Sequence, residues 1–245
     1  MATNIPGFTF TGMYIYECAG ISHTIAEYRH DMTGIEFNLI PGGSFMMGSG
    51  DEWEQPVHPV NIEPFLMAKY ECTQAQYKFV TGTNPSHFRG KDRPVEMVSW
   101  NDALAACRKV GLELPSEAQW EYACRAGSTA DFYFGDDEHL LDEYGWHWGN
   151  SDEQTHPVGQ KRPNAFGLYD MHGNVWEWCQ DTWHDSYTGV PSDGLAWVDD
   201  GSNRVFRGGS WFSIAWNCRS TIRYRIVPGS RRDFRGFRWS SSSVL

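Results

Sequence analysis

The stretch "NAFGLYDMHGNVWEWC", residues 164–179, decides how the second half of this chain folds. It holds four aromatic side chains and two glycines, and the glycines interrupt any long helical or strand repeat. Trp176 and Trp178, together with Trp183 just beyond, have the large apolar surface that is typical of core residues. From Gly127 onward the chain keeps this character, so we expect short strands joined by long loops there.

Three helices are predicted before that point from local signals. Each segment begins with a Ser or Thr that can act as N-cap and ends at a glycine, and Ser99 and Ser116 are followed three residues later by Asp102 and Gln119. The segments are "CTQAQYKFVTG" (72–82, Thr73 to Gly82), "SWNDALAACRKVG" (99–111, Ser99 with Asp102, ending at Gly111) and "PSEAQWEYACRAG" (115–127, Ser116 with Gln119, ending at Gly127). Helices followed by short strands indicate an α+β fold.

The N-terminal part is less regular. Residues 1–34 are predicted to be a lead-in that packs on a domain formed by residues 35–245. Within the lead-in, "MYIYECAG" (13–20) alternates enough to be a strand, and "ISHTIAEYRHD" (21–31) is expected to be a short helix or a loop. The first domain segment, "GIEFNLIPGGSFMMGS" (34–49), predicts two short strands around a turn at residues 41–43.

Charge is distributed unevenly along the chain. The net charge is −11, but from Arg204 to Leu245 there are nine Arg and one acid, Asp233, which leaves −19 for the remainder. These arginines could form a nucleic-acid patch or could pair with acids of the body. Because this segment contains no Lys, which nucleic-acid patches usually include, pairing within the protein is the favoured interpretation and no nucleic-acid partner is expected.

The remaining composition indicates a folded protein and does not contain the cysteine pattern of a zinc ribbon. With 40% apolar residues, the 245-residue chain can bury a core of its own. Its six Cys include no CxxC pair, so buried reduced thiols are expected. No apolar run approaches a membrane span, so a cytoplasmic monomer is the default expectation. The cell surface is the alternative if a signal or lipoprotein segment has been removed.

Several phrases, in order, resemble the formylglycine-generating-enzyme (sulfatase-modifying-factor) family over roughly residues 35–239. They are "FNLIPGGSFMMGS" (37–49), "PVHPVNIEPFLMAKYECTQAQYKFV" (56–80), "VEMVSWNDALAACRKVGLELPSEAQWEYACRAG" (95–127), "THPVGQKRPNAFGLYDMHGNVWEWCQDTW" (155–183), "RGGSW" (207–211) and "GFRW" (236–239). The resemblance implies a C-type lectin-like fold, with two helices against small twisted antiparallel sheets and long loops.

Some members of that family are enzymes, but this chain departs from their pattern at the residues that bind metal, which argues against catalysis here. Oxidase members carry two cysteines five residues apart that bind copper through thiolates, whereas this chain has Ser213 five residues before Cys218. A hydroxyl does not replace a thiolate as a ligand of soft Cu(I). Other members need a histidine-rich iron site, and the nine His here include no HxH or HxxxH pair. An oxygen- and metal-dependent oxidoreductase is therefore the second hypothesis.

The first hypothesis follows from the C-terminal segment 208–239. Some members of the family resemble this chain but are variable ligand-binding proteins diversified by retroelements, and they carry Asn at many loop positions of this segment. Eleven such positions are replaced here, and none by Lys, Met, Trp, Gln or Glu, which mutated AAC-type codons do not encode. The predicted ligand-binding positions are Phe212, Ser213, Ile214, Ile222, Tyr224, Ile226, Val227, Ser230, Arg232, Asp233 and Phe234.

These replacements predict an exposed apolar patch, which usually marks a recognition site. The expected partner is a protein or another cell-surface ligand, and no cofactor is required. A core position for the same apolar residues is the alternative interpretation.

A calcium site is also implied by the resemblance. Asp170 and Glu177, with the carbonyls of Gly173 and Val175, match a calcium site of the oxidase members, and alternating side-chain and carbonyl oxygens suit a hard cation. The alternative is that both acids pair with arginines of the C-terminal segment. Any calcium would be structural.

Overall fold

Three sheets and four α-helices make up residues 4–242, which are the residues that this computed structural model describes. The strands are β1 (Phe8–Cys18), β2 (Ile21–His30), β3 (Glu36–Ile40), β4 (Gly43–Met47), β5 (His58–Ile62), β6 (Phe65–Ala68), β7 (Trp176–Thr182), β8 (Arg204–Arg207), β9 (Arg223–Ile226), β10 (Arg235–Gly236) and β11 (Ser240–Ser241). The helices are α1 (Gln74–Thr81), α2 (Trp100–Lys109), α3 (Glu117–Arg125) and α4 (Leu141–Tyr144). The predicted lead-in and domain extend three residues beyond each end of the described range.

The N-terminal residues form part of the largest sheet, whose strand order is β1-β2-β3-β6-β11. The prediction of a helix or loop for residues 21–31 is wrong, because Ile21–His30 is strand β2. It pairs antiparallel with β1 along its whole length and with β3 through Tyr28 opposite Phe37. Tyr28 and Phe37 are both buried in the core, so pairing on two sides holds this segment extended. The strands predicted around residues 41–43 are confirmed as β3 and β4.

A second sheet, of order β10-β7-β8-β9, carries the C-terminal segment. Its pairs are antiparallel except for β10 with β7, which run parallel with Arg235 opposite Trp176. This pair departs from the expectation of purely antiparallel sheets, because the chain leaves β9 by a long loop and returns to the far edge, beside β7. Trp176 and Trp178 on β7 are buried as predicted, whereas Trp183, just after it, is only half-buried.

The three predicted helices are confirmed, including their caps. Each begins with a complete capping box, formed by Thr73 with Gln76, Ser99 with Asp102, and Ser116 with Gln119. Helix α1 is capped at its C-terminus by Gly82 in the left-handed conformation, with a φ of 82°, and α3 is capped by Ala126, one residue before the predicted Gly127. The short α4 was not predicted, and the described residues contain four α-helices where the resemblance implied two.

The interior consists of two apolar clusters. One lies between the five-stranded sheet, α2 and β7, and the other surrounds α3. All six cysteines are buried and unpaired, as expected. Within residues 4–242 no helix combines the length and the apolarity needed to cross a membrane.

Candidate ligand-binding surface

Arginines whose charges are paired within the fold hold the C-terminal segment in place. Arg238 donates to Glu177 at 2.7 Å and Arg223 to Glu117 at 2.7 Å, and all four side chains are buried. Arg207 likewise pairs with Glu121 in the core. Within the described residues, six of the nine arginines contact acids: Arg207, Arg219, Arg223, Arg225, Arg231 and Arg238. The interpretation of internal pairing is therefore confirmed.

A double-glycine turn places the loop that follows β8. Gly208 and Gly209 have φ values of 99° and 78°, a left-handed region that residues with a Cβ rarely adopt. A Cβ on Gly209 would lie 2.5 Å from the Cys218 Sγ, and one on Gly208 would lie 2.9 Å from the Trp120 ring. The missing side chains at this Gly-Gly pair therefore let the backbone approach the core closely, and the loop that follows Trp211 emerges from there towards solvent.

The eleven predicted ligand-binding residues divide into three groups by exposure. Phe212, Ile214, Tyr224, Val227 and Arg232 are exposed, Ile226, Ser230, Asp233 and Phe234 are half-buried, and Ser213 and Ile222 are buried. The exposed fractions of Phe212, Ile214 and Val227 are 60%, 56% and 51%. The core interpretation therefore does not hold for these three side chains.

Ser213 and Ile222 require a correction, because neither faces solvent. The Ser213 hydroxyl accepts a hydrogen bond from the backbone N–H of Ser210 at 3.0 Å and so closes the loop from within. Ile222 packs in the cluster beneath the five-stranded sheet and is 7% exposed. The family pattern identified both positions, but local sequence does not reveal that their side chains turn inward.

Ring contacts and hydrogen bonds connect the outward-facing side chains. Phe212 stacks on Phe234 with centroids 6.4 Å apart, and Phe234 covers the Arg235 guanidinium at 5.5 Å. Arg235 donates to the Ser230 hydroxyl at 3.2 Å, and the Ser230 N–H donates to the Val227 carbonyl at 3.0 Å. The structure thus brings residues from two separate loops into one connected surface.

Two tryptophans extend this surface and were missed from sequence. The Trp148 side chain is 62% exposed, and its backbone N–H donates to the Ser213 carbonyl at 2.9 Å. Trp216 is 51% exposed and stacks under the Arg219 guanidinium at 3.6 Å. The codon argument excluded tryptophan, although Trp216 lies inside the loop itself. We call Trp148, Phe212, Ile214, Trp216, Tyr224 and Val227 the apolar face.

The interior side of the same loop holds Cys218 as a packed thiol rather than as a reactive thiolate. Burial raises the pKa of the Cys218 thiol to about 12. The nearby His172 donates from Nδ1 to the Cys218 carbonyl and accepts at Nε2 from the Tyr133 backbone N–H, and burial lowers its pKa to about 3. A neutral imidazole does not stabilise a thiolate, so Cys218 is a protonated, packed thiol near neutral pH.

A family model described as the sulfatase-modifying factor enzyme 1-like domain matches residues 24–242. The chain belongs to this family. It is 29% identical to the formylglycine-generating enzyme of Mus musculus, over 84% of this chain and 74% of that protein. The structure of PvdO from Pseudomonas aeruginosa has a TM-score of 0.80 and 34% identity, covering 88% of this chain and 97% of that one. Treponema denticola variable protein 1 has a TM-score of 0.79 and 29% identity, covering 94% and 98%.

These comparisons confirm the predicted resemblance and the α+β fold of the sulfatase-modifying factor enzyme 1-like family. They include enzymes by name, such as the mouse protein, as well as a protein named as variable. Family membership alone therefore does not separate the two functional hypotheses, and the residues of this chain have to do so.

The predicted calcium residues of this family member do not fit a calcium ion as they are arranged. Arg238 donates to both oxygens of Glu177, and the Trp120 indole N–H donates to Oε2 at 2.8 Å. Asp170 is buried, and its Oδ2 accepts from the Gly159 N–H at 2.7 Å, while its Oδ1 has no hydrogen-bond partner among the described residues. Within residues 4–242 no group of three or more His, Cys, Asp or Glu side chains is placed to hold a metal. The Glu177 carboxylate is thus already paired with the Arg238 guanidinium and is not available to bind calcium.

We therefore expect excess EGTA to leave the melting temperature unchanged. A bound structural ion would stabilise the folded state by mass action, so its removal would lower that temperature. Differential scanning fluorimetry with EGTA and with added calcium is the measurement, and Asp170→Asn is the matched variant. A rise in melting temperature with calcium that Asp170→Asn abolishes would show that the ion binds.

Glu96 is a buried acid beside this surface that sequence reasoning missed. Its Oε1 accepts from the Phe88 N–H at 2.8 Å, while Oε2 is buried without a hydrogen-bond partner among the described residues. Phe88 in turn packs edge-on against Trp211, with centroids 5.4 Å apart. Burial, reinforced by the nearby charge of Asp233, raises the pKa of Glu96 from 4.5 to about 7.

Glu96→Gln is expected to stabilise the protein at pH 8 but not at pH 4.5. Between these values the unfolded chain loses the proton first, so the folded state binds more protons and its stability falls as pH rises. Glutamine is neutral at every pH, so the variant does not lose stability by ionisation. We expect its free energy of unfolding at pH 8 to exceed that of the wild type by about 1–2 kcal/mol, after allowance for solvent screening. Thermal melts of both proteins across this range test it. The exposed Glu52→Gln is the control, and an equal gain at every pH would contradict the assignment.

Proposed function

We propose that this protein is a ligand-binding protein of the sulfatase-modifying factor enzyme 1-like family, whose C-terminal segment displays retroelement-diversified side chains. The observation that carries the proposal is the alternation within residues 208–239. Arginines and glycines there are tied into the core, while Phe212, Ile214 and Val227 between them are at least half exposed. The similarity to Treponema denticola variable protein 1 supports the same function.

The chemistry of the apolar face supports recognition of another molecule. Large apolar side chains on a soluble protein are unfavourable in water unless a partner covers them. Aromatic residues with arginine alongside are the preferred anchors of protein interfaces. The exposed Phe212 and Trp216 provide the aromatic anchors, and the buried Arg219 guanidinium holds the Trp216 ring in place from within. The proposed partner is a protein or other cell-surface ligand.

The oxidoreductase hypothesis has weaker support. A copper site of the oxidase type needs two thiolates, and this chain provides the Ser213 hydroxyl and a Cys218 thiol whose pKa burial raises to about 12. Purified protein with copper and oxygen should leave a cysteine-containing sulfatase peptide unmodified, as judged by mass spectrometry. Aldehyde formation that Cys218→Ala abolishes would favour the enzyme.

Diversification is tested in the coding DNA. A near-copy of the sequence for residues 208–239 should lie beside a reverse-transcriptase gene and should differ only at template adenines. Its absence would remove the retroelement from the proposal while leaving ligand binding open to the next test.

Binding is tested by substitution on the apolar face. A variant with Phe212, Ile214, Tyr224 and Val227 all changed to Asn should stay folded, with a melting temperature within several degrees of the wild type, because exposed positions each change stability by no more than about 0.5 kcal/mol. It should lose any partner that the wild type retains from cell-surface extracts. As a matched control, Asn at Met13, Met32, Phe79 and Leu195, which are exposed elsewhere, should keep that partner. Equal retention by the two variants would contradict a role for the apolar face.

A further inference from the structure

A second concave site lies away from the C-terminal segment, between strand β4 and helix α3. It is a cavity of about 660 Å³, and none of the eleven predicted ligand-binding residues lines it. Four rings form a continuous wall: His23 lies 4.7 Å from Phe166, Phe166 lies 5.7 Å from Tyr122, and Tyr122 lies 5.3 Å from Phe45, centroid to centroid. Val57, 45% exposed, is at the rim.

Two polar groups accompany this aromatic wall. The His23 Nε2 is closed off from the cavity, so a ligand there does not reach it. The Tyr122 hydroxyl lies directly over Gly43, where a Cβ would come within 2.7 Å of it. This hydroxyl makes no hydrogen bond to the described residues and is open to the cavity, so it can bond to a ligand.

The cavity offers no net charge to a ligand. Arg125 is the charged side chain of the lining, and its guanidinium is already engaged. It donates to Glu121 at 3.0 Å, to the Ala130 carbonyl at 3.2 Å and to the Gly48 carbonyl at 3.4 Å. No acid lines the cavity, so an ionic ligand would be desolvated without a counter-charge, whereas a neutral one would not.

We propose that this cavity binds a small neutral aromatic compound bearing a hydroxyl or carbonyl group. The volume lies within the range of small-molecule sites, about 300–1,000 Å³, which are mainly apolar with a few polar groups. The rings of Phe45, Tyr122 and Phe166 pack against the aromatic body. The polar group of the ligand bonds to the Tyr122 hydroxyl, which can accept from a hydroxyl or donate to a carbonyl. This site is independent of the proposed function.

The probe is 2-naphthol, a neutral bicyclic compound with one hydroxyl, and naphthalene is its partner without the hydroxyl. Isothermal titration should show saturable binding of 2-naphthol to the wild type with one site per chain. Val57→Trp should fill the mouth of the cavity and abolish binding. Tyr122→Phe should weaken 2-naphthol about 3- to 10-fold, the loss of one hydrogen bond, while leaving naphthalene unchanged.

Controls separate this site from the apolar face. Phe212→Asn should leave 2-naphthol binding unchanged, and each variant should be folded by circular dichroism. If Val57→Trp fails to fold, Thr129→Trp, at another exposed position of the lining, replaces it. Absence of saturable binding, or binding that survives the blocking substitution, would overturn the proposal. Loss of binding in Phe212→Asn would instead place the probe on the apolar face, and equal loss of both probes in Tyr122→Phe would overturn the hydrogen bond.

Discussion

Replacing Arg238 with methionine is expected to lower the free energy of unfolding by about 3–5 kcal/mol, because it leaves a buried carboxylate without its partner. The Arg238 guanidinium donates to Glu177 at 2.7 Å and to the carbonyls of Ala68, Lys69 and Tyr169. Both members of the ion pair are at most 1% exposed. Chemical denaturation followed by tryptophan fluorescence measures the change.

Two variants make this result interpretable. Arg232→Met removes an exposed guanidinium that contacts no acid among the described residues, and it should change stability by less than about 0.5 kcal/mol. Adding Glu177→Gln to Arg238→Met should recover part of the loss, since it removes the stranded charge. Equal effects of Arg238→Met and Arg232→Met would show that the buried pair does not hold the segment.

Asparagine at Ile222 is expected to destabilise the protein by about 3–4 kcal/mol, whereas asparagine at Ile214 should be nearly neutral. The two residues are eight positions apart in one segment, yet Ile222 is 7% exposed and Ile214 is 56% exposed. The first substitution removes packed apolar volume and buries an amide, while the second acts on a side chain already in water.

Melting curves and denaturant titrations of both variants test this division. Ile214→Asn should also reduce partner binding in the proposed function, since it removes part of the apolar face. A strong loss of stability in Ile214→Asn would mean that the loop carrying it packs as core, which would contradict the assignment of that face.

Local and non-local features differ in how far the sequence predicts them. The three helix starts are readable because a capping box is complete within four residues, as at Ser116 and Gln119. Internal pairing of the arginines is predicted from composition. The segment has nine Arg and one acid, so arginines buried in the fold need acids from the rest of the chain as partners. Strand β2 is not predicted, because its extended form comes from neighbours at residues 8–18 and 36–40 rather than from its own pattern.

The candidate site shows the same limit. Phe212 and Ile214 were identified through the family pattern, and their exposure agrees with an outward role. Ser213 and Ile222 come from the same pattern but turn inward, because the Gly208–Gly209 turn and the register of β9 decide which side chains face the core. Trp148, Glu96 and His23 were missed, since they join these sites from distant parts of the chain.

The alternation of tied and outward residues in segment 208–239 has a consequence for evolution. When sites of change are separate from sites of stabilisation, many different sequences can share nearly the same folding free energy. Most mutations in an ordinary protein consume part of a small stability margin. Here a lineage could sample a large library of surfaces at Phe212, Ile214, Tyr224 and Val227 while its members remain equally soluble and foldable, so selection would act on recognition alone.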